Sequence, residues 1–280
     1  MQTLLVNVKR CQVLAEPFPH LIVESPLPED LYLRLASAYP TLEVITGGAE
    51  FHSNQRFSLS ASQSLGDERI SPLWREFVRL HTSAAFFAQV VELFGEHIRS
   101  VYPSLEKNIG ALGGLSTGVR RPDINPSADA LLDAQICVNT RVVGTPSSVR
   151  RVHVDSPNKL FTGLYYFRHP DDRSAGGDLE FYRFKGRPRG FRVAEVEDRY
   201  VEVVKAIKYR PNTFVMFINN IRALHGVTAR AVTPFPRCFF NLVGEVREPL
   251  FDLGKYQKGR RRSYFIQTLK RVPRLFRTNV

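Results

Sequence analysis

The chain has 280 residues, 43% hydrophobic and 11% aromatic, enough to bury the core of one large domain and unlike the composition of a disordered protein. Its three cysteines, Cys11, Cys137 and Cys238, are odd in number and form no C-x-x-C pair, which argues against a disulfide framework or a cysteine-built zinc site. The net charge is +12, but residues 253–280 alone hold nine basic side chains and no acidic one, so the charge belongs to a tail and the body is only mildly basic. No window approaches the roughly 18 continuous apolar residues of a membrane span. The first apolar stretch is broken by Asn7, Lys9 and Arg10, so no signal peptide is predicted and a cytoplasmic location is expected.

In chain order, His20–Glu24 reads as a strand. A helix follows from Pro28, with Glu29 and Asp30 in the first turn, where the helix dipole favours acids, and Pro40 as its stop. Residues 71–102 read as longer helix. Ser71 caps it, Pro72 suits the first helical position, and Trp74, Phe77, Val78 and His81 share a face. A second apolar stripe of Phe86, Phe87, Val90, Val91, Phe94 and Ile98 faces a core. Residues 110–130 hold four glycines, Pro122 and Pro126 without periodicity, and predict a long loop of the kind used as lids or binding loops.

From about residue 134 short strands are predicted at Ala134–Val143, Val149–Val154, Gly163–Phe167, Asp178–Phe184, Thr213–Ile218 and Arg237–Gly244. Gly- and Pro-rich turns separate them. The predicted architecture is a jelly roll over about 134–246, supported by helices in about 1–133. Together these form one domain, residues 1–252, with a basic tail, 253–280, appended.

The residues that carry chemistry are His153-Val-Asp155 and the distant His225. In a strand, residues i and i+2 point the same way, so His153 and Asp155 present an imidazole and a carboxylate to one point. A second histidine from another strand completes one face of an octahedron. That leaves three positions open, the arrangement of non-haem Fe(II) oxygenases. The segment His169-Pro-Asp171 repeats the spacing, but Pro170 and the polar run after it predict a turn there.

The order of HVDSPNKLFTGLYYF (153–167), GGDLEFY (176–182), NTFVMFINNIRALHGV (212–227) and PRCFFNLVG (236–244) resembles the prolyl-hydroxylase-like branch of Fe(II)/2-oxoglutarate oxygenases. The likeness covers about residues 135–245. The opening PFPHLIVESPLPEDL (17–31) is also similar to the start of bacterial members. The resemblance implies a double-stranded β-helix, Fe(II), 2-oxoglutarate as co-substrate, O2 and ascorbate as a supporting reductant. It also implies a tyrosine on the strand after H-x-D that bonds the co-substrate's distal carboxylate, for which Tyr166 is the candidate. Arg237, starting the strand after His225, can hold the same carboxylate through a two-pronged charge-assisted pair. Its rival Arg230 lies five residues after His225 and is expected at the surface. Because Asp155 keeps the carboxylate that iron halogenases lack, hydroxylation is expected of a small molecule, sugar or lipid-linked substrate.

Three other functions remain open: a prolyl-type protein hydroxylase, a jelly-roll module without iron, and a nucleic-acid demethylase. The last is disfavoured because Arg230 and Arg237 flank Pro234 and Pro236 and cannot share one strand. In the tail, Phe265, Leu269, Val272 and Phe276 fall on one helical stripe beside Lys270, Arg271, Arg274 and Arg277, with Pro273 interrupting it. Such a segment, 255–277, either lies on an anionic membrane surface or packs on the body.

Overall fold

The computed structural model describes residues 1–121 and 127–257. In the first part, β1 (His20–Glu24) leads to α1 (Glu29–Ser37), α2 (Leu42–Thr46), β2 (Arg56–Leu59), α3 (Ala61–Gly66), α4 (Pro72–His81), α5 (Ala84–Val101) and α6 (Leu105–Ile109). Then come β3 (Thr117–Val119), β4 (Ala130–Asn139), β5 (Lys159–Phe167), β6 (Leu179–Phe184), β7 (Phe191–Arg192), β8 (Glu195–Val196), β9 (Val201–Ile207), β10 (Thr213–Ile218), β11 (Leu224–Val227) and β12 (Arg237–Val246).

The helices form where local chemistry favours them. Ser71 Oγ accepts the Trp74 N–H at 3.3 Å and Pro72 occupies the first turn, so α4 starts there. Ser83 Oγ accepts from Phe86 N at 3.2 Å and divides α4 from α5. Of the residues predicted to face a core, Trp74, Phe77, Phe86, Val90, Phe94 and Ile98 are buried, while Val91 is half-buried at its edge. Trp74 packs at an angle against the rings of Phe167 and Phe240 and donates its indole N–H to Leu35 O at 2.9 Å.

Those helices cover the outer face of a sheet with strand order β1-β10-β5-β12-β4-β2, to which β3 adds alongside β4. A smaller sheet, β11-β6-β9, faces its other side. Apart from the parallel β3–β4 pair, the main pairings are antiparallel. The neighbours in each sheet come from distant parts of the chain, which winds back and forth between the two sheets. The molecule is a double-stranded β-helix. Strand alternation then divides each residue pair between two cores. Tyr165 lies in the helix-side cluster with Phe77 and Phe240, and Tyr166 lies between the sheets with Phe181, Phe217 and Phe239.

Two expectations need correction. Val149–Val154 is not a ladder strand: it touches the smaller sheet by isolated bridges, including His153 with His225. The predicted long loop contains β3, held by pairing with β4; Pro122 and Pro126 fall outside the described residues. The tail's first residues, Leu253–Tyr256, form a short 3-10 turn that packs on the body, with Leu253 buried. The proposed amphipathic stripe from Phe265 to Phe276 lies outside the described residues. Among the described residues no helix is long and apolar enough to cross a membrane.

Candidate metal centre and co-substrate cradle

His153, Asp155 and His225 converge. One ligand atom from each lies within 4.8 Å of the others, and all three residues are buried. The backbone makes this possible: His153 and His225 exchange N–H···O bonds of 2.9 and 3.0 Å. Gly226 lets the two segments approach that closely, since a Cβ there would sit 3.1 Å from the backbone at Arg151 and Val152. Each histidine turns its Nδ1 to a carbonyl two residues earlier, His153 to Arg151 O at 2.8 Å and His225 to Ala223 O at 3.0 Å. Donation from Nδ1 leaves the Nε2 lone pair free, the form a metal takes. Burial lowers both histidine pKa values below the usual range, and the mutual proximity of the rings adds to this at His153. Neutral imidazoles are the ligand forms.

Burial alone would raise the Asp155 carboxyl, but the Lys159 charge, the two histidines and the Thr162 hydroxyl outweigh it and hold the group well below the usual carboxylate range. Its two oxygens are differently engaged. Oδ1 accepts from Lys159 Nζ at 3.0 Å, while Oδ2 accepts from Thr162 Oγ1 at 2.6 Å and lies 3.9 Å from His225 Nε2. Oδ2, the oxygen nearer His225, is the one that would hold a metal, while Oδ1 is held by Lys159.

The His169–Asp171 pair lies elsewhere. His169 Nδ1 is 3.8 Å from Asp171 on an exposed turn, and the ring stacks on Phe235.

Deeper between the sheets, Arg237 is 2% exposed. Its guanidinium carbon lies 5.0 Å from the Tyr166 ring centroid, 4.8 Å from Tyr209 and 4.9 Å from Phe239. Nε donates to Gly177 O at 3.0 Å. Among the described residues its buried NH2 nitrogen has no partner, and neither does the Tyr166 hydroxyl. Burial raises the Tyr166 pKa, and the nearby Arg237 charge opposes that rise. A guanidinium nitrogen and a phenol left unsatisfied side by side, where buried polar groups are otherwise paired, is the complement of a carboxylate. The two residues fit the distal end of a 2-oxo dicarboxylate.

Arg230 is not at the surface. It is 2% exposed, and NH2 pairs with the fully buried Asp172 at 2.7 Å. The partner is far in sequence, and no periodicity around Arg230 announces it.

Sequence reasoning also missed the polar residues around the triad. Thr162 shares the inner face of β5 with Leu164 and Tyr166, so alternation would have found it. The series Asn241 Nδ2 to Gln135 Oε1, 2.8 Å, and Gln135 Nε2 to Asp133 Oδ2, 2.8 Å, runs across β12 and β4 on the same inner face. A surface cleft of about 490 Å3 beside Arg168, Asp172 and Lys208 contains none of the triad.

No family model matches the chain, and no curated protein matches it by sequence. Solved structures resemble it in shape. A prolyl-4-hydroxylase from Pseudomonas putida is 12% identical with a TM-score of 0.43, over 81% of this chain and 92% of that one. A prolyl hydroxylase from Trichoplax adhaerens, in complex with a hypoxia-inducible-factor peptide, is 13% identical with a TM-score of 0.43, over 81% and 83%. An α-ketoglutarate-dependent non-haem epimerase of nogalamycin biosynthesis is 14% identical with a TM-score of 0.45, over 84% and 80%. The fold follows from the strand order itself.

Proposed function

We propose that the chain is an Fe(II)- and 2-oxoglutarate-dependent oxygenase that hydroxylates a small molecule, a sugar or a lipid-linked substrate. The observation that carries this is the pairing of two features in one barrel. One is a two-histidine, one-carboxylate face; the other is a buried arginine nitrogen and a tyrosine hydroxyl with no partner among the described residues. His153, Asp155 and His225 would hold the iron, and Arg237 and Tyr166 the co-substrate's distal carboxylate. Iron(II) and 2-oxoglutarate bound there would supply oxidative decarboxylation: O2 is consumed, succinate and CO2 are released, and one oxygen atom enters a substrate C–H bond.

The chain's own residues do the positioning. The carbonyls of Arg151 and Ala223 fix the imidazole tautomers, and Thr162 and Lys159 orient the carboxylate. The aromatic box of Tyr166, Tyr209 and Phe239 excludes water from the Arg237 guanidinium, which strengthens any ion pair made with it.

The test is succinate formation by full-length protein supplied with Fe(II), ascorbate and 2-oxoglutarate. A slow release that requires iron and disappears in His225→Ala is expected. A protein that binds metal and 2-oxoglutarate but forms no succinate with any substrate class would be a binding module instead.

A further inference from the structure

Lys159 opens β5 with its side chain 20% exposed, and its ammonium lies 3.0 Å from Asp155 Oδ1. Asp155 is the only acid within salt-bridge distance of it among the described residues. Its cross-strand neighbour Glu245 turns instead to Arg120 at 3.0 Å, and Arg120 also reaches Asp133 at 3.5 Å. Lys159 therefore depends on a carboxylate that the oxygenase reading assigns to a metal.

One more cation stands near the triad without an ion pair among the described residues. Arg150 accepts the Val227 N–H on its carbonyl at 3.0 Å, which sets it alongside the His225–Val227 segment. Its charge is among those that lower both ligand histidines. Arg150 is exposed, and among the described residues no acidic side chain forms an ion pair with it.

The charge count of the loaded site decides what is missing. A divalent metal is offset by Asp155 and by the keto-acid end of 2-oxoglutarate, and the distal carboxylate is offset by Arg237. Lys159 then keeps Asp155 Oδ1 but shares a carboxylate whose charge the metal would offset, and Arg150, an exposed side chain, has no ion pair among the described residues. A partly buried ammonium in that situation is costly unless an anion joins it.

Resting on that reading, we propose that the prime substrate carries an anionic group, a carboxylate or a phosphate, seated against Lys159 at the barrel mouth with Arg150 beside it. The group anchors the substrate, and the carbon presented to the open metal positions is one short span away from it. Lys159 is thus a substrate-binding residue as well as the partner that orients Asp155.

The experiment loads the full-length chain with Co(II), a redox-inert stand-in for iron, and saturating 2-oxoglutarate. Inorganic phosphate and acetate are then titrated separately by calorimetry, and the two arms distinguish the two anion types. The expected result is one saturable site for at least one of them. Its affinity falls roughly tenfold or more in Lys159→Met, as loss of one partner of a desolvated charge pair does. It is retained in Lys159→Arg and weakened in Arg150→Met, a variant that leaves the Asp155 contacts in place. No saturable binding by the parent, or equal binding by the parent and both methionine variants, overturns the proposal. Failure of the parent to take up Co(II) overturns the oxygenase reading instead, so the two failures are told apart.

Discussion

Arg237 is held by Gly177: the guanidinium Nε donates to the Gly177 carbonyl at 3.0 Å, and the NH2 nitrogen beyond it has no partner among the described residues. The glycine turn that precedes β6 therefore aims the arginine that begins β12. Arg237→Ala should weaken 2-oxoglutarate binding by about 3 kcal/mol, on the order of a hundredfold, because the co-substrate carboxylate would enter a buried site with its partner gone. Co(II) binding should survive. Calorimetry on the variant checks both, and unchanged 2-oxoglutarate affinity would move the role to another cation.

The turn itself leaves no room. Gly176 has φ +79°, and a Cβ on it would lie 1.9 Å from Ala229 O. Gly176→Ala should lower stability by about 2 kcal/mol or more, through left-handed backbone strain plus displacement of the 229–230 segment. Thermal unfolding measures this, and 2-oxoglutarate affinity should fall with it as Arg237 loses its aim.

The buried Arg230–Asp172 pair makes a different prediction. Asp172→Asn leaves a guanidinium at 2% exposure without its counter-charge, which should cost roughly 3–5 kcal/mol in denaturant unfolding. The double variant Asp172→Asn, Arg230→Met should cost less than the sum of its single changes. Additive losses would mean that the two side chains stabilise the fold independently.

His81 ties the N-terminus to α4. Leu4 N–H donates to its Nε2 at 3.0 Å and its Nδ1 faces Phe77 O at 2.8 Å, a pattern only the neutral ring satisfies. Burial pushes its pKa down to about 4 from 6.5. The unfolded chain therefore takes the proton first. This group's contribution is intact above pH 6.5 and is lost between 6.5 and 4, at up to about 1.4 kcal/mol per pH unit. Urea unfolding across that range should show a slope that is reduced in His81→Gln. An identical slope in the two proteins would place acid sensitivity elsewhere.

Metal should stabilise the fold. With free Co(II) at about a hundred times its dissociation constant, unfolding free energy should rise by about 2.7 kcal/mol. Chelation with EDTA should reverse the rise, and His153→Ala should not show it. A Co(II) shift that persists in His153→Ala would place the ion at another site.

What the amino-acid sequence determined by itself is what depends on near neighbours. Ser71 and Pro72 start α4, alternation sends Tyr165 and Tyr166 to opposite faces, and the apolar run Thr213–Ile218 is a strand with the predicted bounds. The spacing of His153 and Asp155 likewise identified which side chains could share a metal, although the segment carrying them is bridged rather than laddered. Only the tertiary structure decided which charges meet. Arg230 found Asp172, 58 residues away, Arg237 found the Gly177 carbonyl, 60 residues away, and Lys159 found Asp155. Strand and helix preferences are set by a few adjacent residues. The burial and pairing of a charge are set by chain segments that only folding brings together.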